Sequence, residues 1–460
     1  MHKANIIAIH AAYQLVYSER RRRTADGNLS FLMTTIHSLI QTLSPEQQRV
    51  LTAIRDTASA AGVSAYLVGG AIRDWLLGVS NISDLDFTIE GDAIAFAEQL
   101  VAQHGGQLLA HEKFRTATWH ASELLSVDIT TARHETYARP AALPDVEPSD
   151  IDTDLRRRDF AINAIALRLN DGNMIDPFDG RGDLERKQMR ILHPRSFVDD
   201  PTRLFRGARY ATRLGFAFNA ATLDAVQPAL RFMKNLSGER VKYDLELIFE
   251  ETQPELALNW LLQQRVFRAM DIPIIPSDQF PVRFTKMRNA LITGEWPLDS
   301  LGLTGRELLH SLGWGTLIYN AGMLGITRLA EWLPFTGALR ETLFSLGPLG
   351  TLSSEYFRPV HKLSEQSALL RDFNGLALLI AYVYSQDALK RHAMLCEWRD
   401  WRWVRPTING DDLKALGVPP GPRYRILLDQ LRNAWLDGEV NSQTEEQAFL
   451  RDLLKQANSA

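Results

Sequence analysis

A pair of glycines between two apolar runs, followed closely by two carboxylates, constrains this chain more than any other feature. Residues 66–68 (Tyr-Leu-Val) predict a buried strand, Gly69 and Gly70 follow it, and the next stretch is helical and carries Arg73. Glycine lets the backbone approach a ligand that a Cβ would obstruct. The N-terminus of the helix attracts anions. The segment therefore predicts a phosphate cradle between a strand and a helix.

Two carboxylates, Asp84 and Asp86, stand two positions apart in the next apolar run. Side chains alternate between the faces of a strand, so both are expected on one face, about 7 Å apart. Two such carboxylates can share two Mg²⁺ ions, which favour sites made of carboxylates and phosphates. A single Asp-x-Asp is most often an ordinary solvated strand face. The order strand, glycine pair, helix and Asp-x-Asp instead predicts nucleotidyl transfer.

Length and charge limit the classes of protein that fit. A chain of 460 residues predicts more than one domain. The formal net charge is −4, so contact with nucleic acid requires local basic patches. The single cysteine, Cys396, excludes a disulfide framework and a cysteine-based zinc site. With no long apolar stretch and no signal-peptide pattern, we expect a cytoplasmic protein without membrane contact.

The apolar periodicity predicts an α+β chain. Residues 1–43 are expected to be an N-terminal extension, disordered over 1–32 or preceding the true start at Met33. Residues 44–160 predict a head with a small mixed β-sheet, in which the prolines of residues 134–153 indicate an extended loop. Helical patterns dominate from there on, which predicts an elongated all-α remainder with internal boundaries at about 161 and 273.

A first arginine-rich segment lies at the end of the predicted head. It contains Arg158, Asp159 and Asn163, whose side chains can reach a triphosphate and a ribose hydroxyl. A capped helix with a solvated basic start explains the same residues equally well. This segment alone therefore leaves both interpretations open.

A second segment follows Asp199-Asp200-Pro201 and predicts a helix capped by Asp200. Arg203, Arg206 and Arg209 recur at every third position, and three guanidinium groups on one face repel each other unless anions lie there. A carboxylate and an arginine one turn apart offer both acceptor and donor atoms to the edge of a base. The segment predicts a nucleotide-selecting site made of protein; the alternative is a solvated arginine-rich face.

Together these segments resemble the class II tRNA nucleotidyltransferase and bacterial poly(A) polymerase family over about residues 65–250. The resemblance implies an elongated molecule with a head, neck, body and tail. It implies Mg²⁺ as the cofactor, with Asp84 and Asp86 as catalytic metal ligands. Independently of the resemblance, Asp128 in the run Val127-Asp128-Ile129 is a candidate third carboxylate near the metal. The nucleotide-binding residues that the resemblance implies are Gly70, Arg73, Arg158, Asp200, Arg203, Arg206 and Arg209. The segments themselves add Gly69, Asp159 and Asn163 to the predicted nucleotide-binding residues.

The activity implied by the resemblance is untemplated addition of CCA, or of its terminal A or CC part, to the 3′ end of tRNA from CTP and ATP. Residues 44–160 would then be the catalytic head and 161–272 the nucleotide-selecting, RNA-binding neck. Residues 273–460 would be the body and tail that bind tRNA. Two alternatives stay open: a poly(A) polymerase that acts on other RNAs, and a catalytically silent RNA-binding protein that keeps the scaffold.

Overall fold

The computed structural model of the protein describes residues 36–79, 82, 84–270, 280–292, 294–319 and 321–458. The expectations for residues 1–32 and for Met33 lie outside this range. The chain divides into two compact units, and the change from one to the other falls between residues 272 and 273. Within the described residues, no helix combines the length and the apolar character that a membrane span requires.

The first unit is built on a mixed β-sheet. Its strands are β1 (Ser64–Val68), β2 (Asp86–Glu90), β3 (Gln107–His111), β4 (Thr116–His120), β5 (Ser126–Thr131), β6 (Arg133–Thr136), β7 (Asp145–Pro148), β8 (Ala166–Arg168), β9 (Met174–Ile175), β10 (Gln188–Met189) and β11 (Ala217–Phe218). Among the described residues, the main sheet has seven strands in the order β3-β4-β5-β2-β1-β8-β9. β1 is antiparallel to β2 and β8, and β2 is parallel to β5. The sheet thus brings β2 and β5, far apart in sequence, side by side.

Two features of this unit differ from the sequence predictions. β8 and β9 complete the main sheet, so the sheet extends past the boundary predicted at residue 160. The segment 134–153, expected to be an extended loop, contains the antiparallel pair of β6 and β7 and the start of a helix at Ile151. Prolines predicted a loop because they exclude central strands, but a two-stranded pair at the side of a sheet tolerates them.

The helices of the first unit surround the sheet and continue after it. They are α1 (Ile36–Ile40), α2 (Pro45–Ala61), α3 (Gly70–Leu76), α4 (Ala93–His104), α5 (Ile151–Arg156), α6 (Gly180–Glu185), α7 (Ser196–Asp199), α8 (Arg203–Leu214), α9 (Ala220–Asp224), α10 (Val226–Leu230), α11 (Gly238–Phe249), α12 (Pro254–Gln263) and α13 (Val266–Ala269). α2 begins at Pro45 because Ser44 and Gln47 form a capping box. The central strand β1 is buried from Ala65 to Val68, which fixes the turn that follows it.

Among its described residues, the second unit contains helices and no strand, as the sequence predicts for this part of the chain. Its helices are α14 (Phe280–Ile292), α15 (Gly305–Ile318), α16 (Gly322–Trp332), α17 (Gly337–Thr351), α18 (Leu363–Leu370), α19 (Gly375–Tyr384), α20 (Ala388–Arg399), α21 (Gly410–Ala415), α22 (Pro422–Leu436) and α23 (Gln443–Asn458). α19 is buried over its whole length and forms the centre of this unit. The prediction of an α+β head followed by helices is confirmed.

Candidate active site

Every site residue predicted from the sequence lines one pocket of about 520 Å³ in the first unit. They are Gly69, Gly70, Arg73, Asp84, Asp86, Arg158, Asp159, Asn163, Asp200, Arg203, Arg206 and Arg209. Asp128 lines the same pocket. Segments that are separated by more than a hundred residues therefore meet around a single cavity.

The glycine turn between β1 and α3 brings the backbone against an arginine. Gly69 has φ +69° and ψ −126°, a conformation that side-chain-bearing residues rarely adopt. Its amide donates to the carbonyl of Ile165 at 3.1 Å. A Cβ at this position would lie 2.9 Å from Nη1 of Arg158. The turn thus leaves room for the Arg158 guanidinium beside the N-terminus of α3.

Asp84 and Asp86 face the pocket, although only Asp86 belongs to a strand. β2 begins at Asp86, and Asp84 precedes it, so the prediction that both lie on a strand was wrong for Asp84. The expected alternation is nevertheless present, because Leu85 and Phe87 are buried while both carboxylates are exposed to the pocket. Asp128 on β5 is the register partner of Asp86. Its Oδ1 accepts a hydrogen bond of 2.6 Å from Thr118.

The charge environment of these carboxylates favours a cation. The surrounding pocket walls desolvate Asp86, and together with repulsion from Asp128 and Asp84 they raise the pKa of Asp86 above its ordinary value. The positive charges of Arg158 and Arg206 act in the opposite direction but do not overcome these effects. Carboxylates that oppose one another's ionisation are stabilised by a bound metal ion.

A buried chain of polar groups crosses the floor of the pocket. Arg73 donates to Oδ1 of Asn163 at 2.7 Å, and the Asn163 amide donates to Oδ1 of Asp159 at 3.0 Å. Oδ2 of Asp159 lies 2.7 Å from Nη2 of Arg206. Burial opposes ionisation of Asp159, but Arg206 and the Asn163 hydrogen bond outweigh it and hold its pKa below the ordinary value. Asp159 and Asn163 therefore orient the two arginines that reach the pocket.

Asp154 holds the arginine pair of the first arginine-rich segment. This carboxylate is fully buried. Its Oδ1 accepts from Arg157 at 2.7 and 2.9 Å, and its Oδ2 accepts from Arg158 at 3.0 Å. Burial raises the pKa of Asp154, but the two guanidinium groups have the larger combined effect and keep it ionised. Arg157 also donates to Glu135 on β6 at 2.9 Å.

Asp200 and Arg203 stand at the start of α8, with their geometry fixed by neighbours. The helix begins at Arg203 rather than at Pro201, so the prediction of Asp200 as its N-cap was wrong. Oδ1 of Asp200 accepts from the Thr202 hydroxyl and from Arg240, each at 2.7 Å. Arg203 is 5% exposed and donates to Ser196 at 2.7 Å and to the carbonyl of Arg157 at 2.6 Å. Both side chains are held rigidly at the pocket edge.

The anions that the arginine repeat requires come from other parts of the chain. Asp159 pairs with Arg206, and Nη1 of Arg209 lies 3.7 Å from Oε1 of Glu251. Neither acid stands within a turn of its arginine in sequence, so local patterning does not indicate it. The repeat is therefore not an ordinary solvated face.

Comparison with known proteins agrees with this geometry. Residues 65–190 match the family model described as the poly A polymerase head domain. The A-adding tRNA nucleotidyltransferase of Halalkalibacterium halodurans is 31% identical over 428 residues, which are 89% of this chain and 93% of that protein.

The chain belongs to this family of tRNA nucleotidyltransferases.

Other family members give the same assignment. The CC-adding tRNA nucleotidyltransferase of Deinococcus radiodurans is 30% identical over 87% of this chain and 93% of its own length. Among solved structures, the apo form II of a CCA-adding enzyme has a TM-score of 0.77 and 26% identity. It covers 92% of this chain and 99% of its own. Nucleotidyl transfer is thus the chemistry of this fold, and the fold prediction is confirmed.

The donor set in this tRNA nucleotidyltransferase fits an open metal site. Within the described residues, no group of three or more histidine, cysteine, aspartate or glutamate side chains forms a ready-made cage. Asp84, Asp86 and Asp128 instead line one wall of a wide pocket. Mg²⁺ commonly binds through one or two carboxylates and completes its shell with water and substrate phosphates. The residues present therefore fit Mg²⁺.

Sequence motifs missed several residues of this pocket. Glu135, Tyr137, Tyr210 and Arg213 line it, together with Arg157. Tyr210 lies four residues after Arg206, and Arg213 four residues after Arg209, so both continue the α8 face, and this spacing was the available signal. Glu135 and Tyr137 lie in the segment that was expected to be a loop, which concealed their position on and after β6.

Proposed function

We propose that this chain adds C or A residues to the 3′ end of tRNA, using CTP and ATP and no nucleic-acid template. The proposal covers the whole CCA sequence or its terminal A or CC part. One observation carries it: the paired carboxylates and the Asp200–Arg203 pair line the same pocket. The A-adding and CC-adding names of relatives that match nearly the whole chain support this substrate class.

In the proposed reaction, the terminal 3′-hydroxyl of tRNA attacks the α-phosphate of the nucleoside triphosphate. A new phosphodiester bond forms, the bond between the α-phosphate and the bridging oxygen breaks, and pyrophosphate leaves. Asp84 and Asp86 would hold Mg²⁺, with Asp128 beside them. When bound, this metal supplies charge neutralisation and activation of the hydroxyl.

The protein's own contribution is orientation and charge. The arginines of α3 and α8, with Arg158, place positive charge around the site where phosphate oxygens would lie, and such preorganised charge is the main catalytic resource in phosphoryl transfer. Asp200 offers acceptors and Arg203 offers donors for the edge of the incoming base. Because neighbouring residues fix both side chains, the pair would discriminate between bases without a template strand.

We also propose that the second unit contacts tRNA. α22 begins after Gly421 with Pro422 in its first turn, and Arg425 in that turn is 87% exposed at its side chain. Trp403 presents an exposed indole in the same unit. Exposed cations and aromatic rings suit the phosphates and unstacked bases of RNA. tRNA and nucleoside triphosphates are cytoplasmic substrates, which supports a cytoplasmic location.

The assay uses tRNAs that end before CCA, after CC and after CCA, each with single nucleoside triphosphates and Mg²⁺. We expect C addition to the first, A addition to the second and none to the third, with stoichiometric pyrophosphate release. Extension of only one substrate assigns the enzyme as CC-adding or A-adding. Long A tails on unrelated RNA would support the poly(A) polymerase instead.

Asp86→Asn tests the metal-ligand assignment, because it preserves the shape of the side chain and removes its charge. We expect this variant to turn over about a thousandfold more slowly, because it loses several kcal/mol of transition-state stabilisation. Near-normal turnover of this variant would contradict the metal-ligand assignment. Absence of pyrophosphate release from the unmodified protein with every tRNA would favour the silent RNA-binding protein.

A further inference from the structure

Two arginines on α8 share one carboxylate behind the pocket wall. Nε of Arg213 donates to both carboxylate oxygens of Glu251, at 3.0 and 3.1 Å, and Nη2 of Arg213 also contacts Oε1. Arg209, one turn earlier, has Nη1 at 3.7 Å from the same oxygen. Glu251 is 8% exposed and follows α11. Glu251 thus holds Arg213 firmly and contacts Arg209 only loosely.

A tyrosine ring joins Arg209 to the phosphate cradle. The guanidinium of Arg209 lies 4.8 Å from the centre of the Tyr210 ring, and that of Arg73 lies 5.3 Å from it. The ring packs edge-on against Phe160, with centroids 6.3 Å apart. Tyr210 therefore keeps the two guanidinium groups on a rigid aromatic support. Such contacts favour a fixed cation position.

The three arginines form one wall of the pocket, and their charge is only partly compensated. Arg73, Arg209 and Arg213 line the pocket, and Glu251 does not. Asp74 accepts a hydrogen bond from Nε of Arg73 at 2.8 Å, and Glu251 forms ion pairs with Arg209 and Arg213. The local sum of formal charges is therefore positive. A polyphosphate is the complementary ligand, since arginine binds phosphate oxygens in a planar, two-pronged manner.

We propose that Glu251 is a positioning residue for the polyphosphate tail of the incoming nucleotide and for the pyrophosphate product. It acts through Arg213, which it fixes, and through Arg209, which it steadies while leaving donors for phosphate. This inference rests on the proposed function and adds Arg213 to the phosphate-binding residues. Because the tail is common to CTP and ATP, the effect is independent of the base.

Removal of the carboxylate has two opposing consequences. It increases the positive charge of the wall, which attracts phosphate. It also frees two long side chains, one turn apart and of like charge, to move away from each other. The attraction gained in a solvent-accessible pocket is small because water screens it, whereas ordering a freed arginine side chain costs conformational entropy. The loss of order therefore dominates, and phosphate affinity falls.

Glu251→Gln tests this inference through steady-state kinetics of the full chain. We expect KM for CTP and for ATP to rise by the same factor, about tenfold, with kcat within about twofold of the unmodified enzyme. Inhibition by added pyrophosphate should weaken by a similar factor. Glu251→Asp keeps the charge on a shorter side chain and should restore part of the affinity.

Asp179→Asn is the matched control for loss of a carboxylate paired with arginine. Asp179 lies 2.7 Å from Arg186 at an exposed turn and does not line the pocket. Its φ of +53° is one that asparagine tolerates. This variant should leave both KM values unchanged. Thermal unfolding of every variant separates loss of affinity from loss of fold.

An unchanged or lower KM for both nucleotides in Glu251→Gln would overturn the inference, as would a fall in kcat alone. If this variant unfolds, Arg213→Lys provides the second test, because it keeps the charge and removes the two-pronged contact. The same joint rise in KM and loss of pyrophosphate inhibition is expected, and its absence contradicts the inference. If the unmodified enzyme incorporates no nucleotide at all, the proposed function fails instead.

Discussion

At the scale of single residues, hydrogen bonds to neighbouring groups restrict the conformations of Asp200 and Arg203, the proposed nucleotide-selecting side chains. Arg203 donates to a buried serine hydroxyl, that of Ser196, and to a backbone carbonyl, that of Arg157. Asp200 is held by Arg240 and Thr202. The entropy cost of fixing these groups is thus met when the protein folds, before a nucleotide binds. Selectivity depends on the holding residues as much as on the selecting ones.

Arg203→Ala should therefore reduce the selectivity of the enzyme between CTP and ATP. Loss of charge-assisted hydrogen bonds of about 1.5–3 kcal/mol lowers kcat/KM by roughly 10- to 100-fold for the preferred nucleotide. Arg203→Lys keeps the charge but not the planar fork, so it should not restore selectivity. Ser196→Ala, which removes one holding contact, should have an intermediate effect. An unchanged ratio of kcat/KM values in Arg203→Ala would remove Arg203 from the selecting pair.

Asp244 gives the first unit a pH-dependent stability. Burial, opposed by Arg206 but assisted by Asp200, raises the pKa of Asp244 to about 7. The folded carboxyl keeps its proton at pH values where the unfolded one has lost it. The contribution of Asp244 to the free energy of unfolding is therefore fully present below about pH 4 and is lost as the pH rises through 7. The remaining charged neighbours, Arg209 and Arg240, moderate this shift without reversing it.

Asp244→Asn should remove this pH dependence. We expect nearly equal free energies of unfolding for the variant and the unmodified protein at pH 4, and a more stable variant at pH 8. The difference is up to about 4 kcal/mol, from a pKa shift of roughly three units. Urea unfolding at both pH values measures it. If the free energy of unfolding changes with pH in the same way for both proteins, Asp244 is ionised in the folded protein.

At the scale of elements, the site is built where a strand ends and a helix begins. The turn at Gly69 sets the distance between the N-terminus of α3 and the Arg158 guanidinium. Local sequence is sufficient to predict this feature, because each of its requirements concerns adjacent residues. The alternation around Asp86 was predictable for the same reason.

Gly69→Ala should impair both stability and nucleotide binding. The conformation at φ +69° costs a side-chain-bearing residue about 1–3 kcal/mol, and the added Cβ displaces Arg158. Gly62→Ala is the matched control, since Gly62 has φ +66° with open space around it. It should lower stability by about 1 kcal/mol and leave KM for ATP unchanged. Equal KM values in the two variants would argue against the role of the turn.

Other parts of the site depend on elements that local patterns do not connect. Glu251 reaches α8 only because α11 packs beside that helix, and Asp154 serves two arginines only because it is fully buried. The pairing of β6 with β7 was hidden by prolines, which usually signal loops. Asp200 resembled an N-cap in sequence, but its carboxylate accepts hydrogen bonds from Thr202 and Arg240, and α8 begins later. Long-range packing thus determined what sequence periodicity did not.

At the scale of the whole molecule, the chain consists of two compact units, each with its own core. The pocket lies within the first unit, and the described residues of the second unit form helices and their connections, with no strand. The predicted boundary at residue 273 coincides with the division between them. The functional division into head, neck, body and tail stays a prediction, since compactness does not assign function.

We expect calorimetry of the full chain to resolve two unfolding transitions. ATP with Mg²⁺ should raise the midpoint of only one of them, because a ligand stabilises the unit that binds it. At a hundredfold excess over Kd, this stabilisation is about 2.7 kcal/mol. Asp86→Asn should reduce the shift without altering the other transition. Movement of both transitions by equal amounts would indicate that the units unfold together.

The alignment of three neighbouring strands limits the insertions and deletions that this chain can accept. Thr118, Asp128 and Asp86 are register partners on β4, β5 and β2. The backbone hydrogen bonds between the strands therefore align these three residues side by side. A one-residue deletion inside β5 would turn its side chains to the opposite face. In a library of single-residue deletions, active clones should be depleted within these strands and retained in the turn at residues 121–125. The architecture thus tolerates change of length at the ends of its strands and resists it in their interiors.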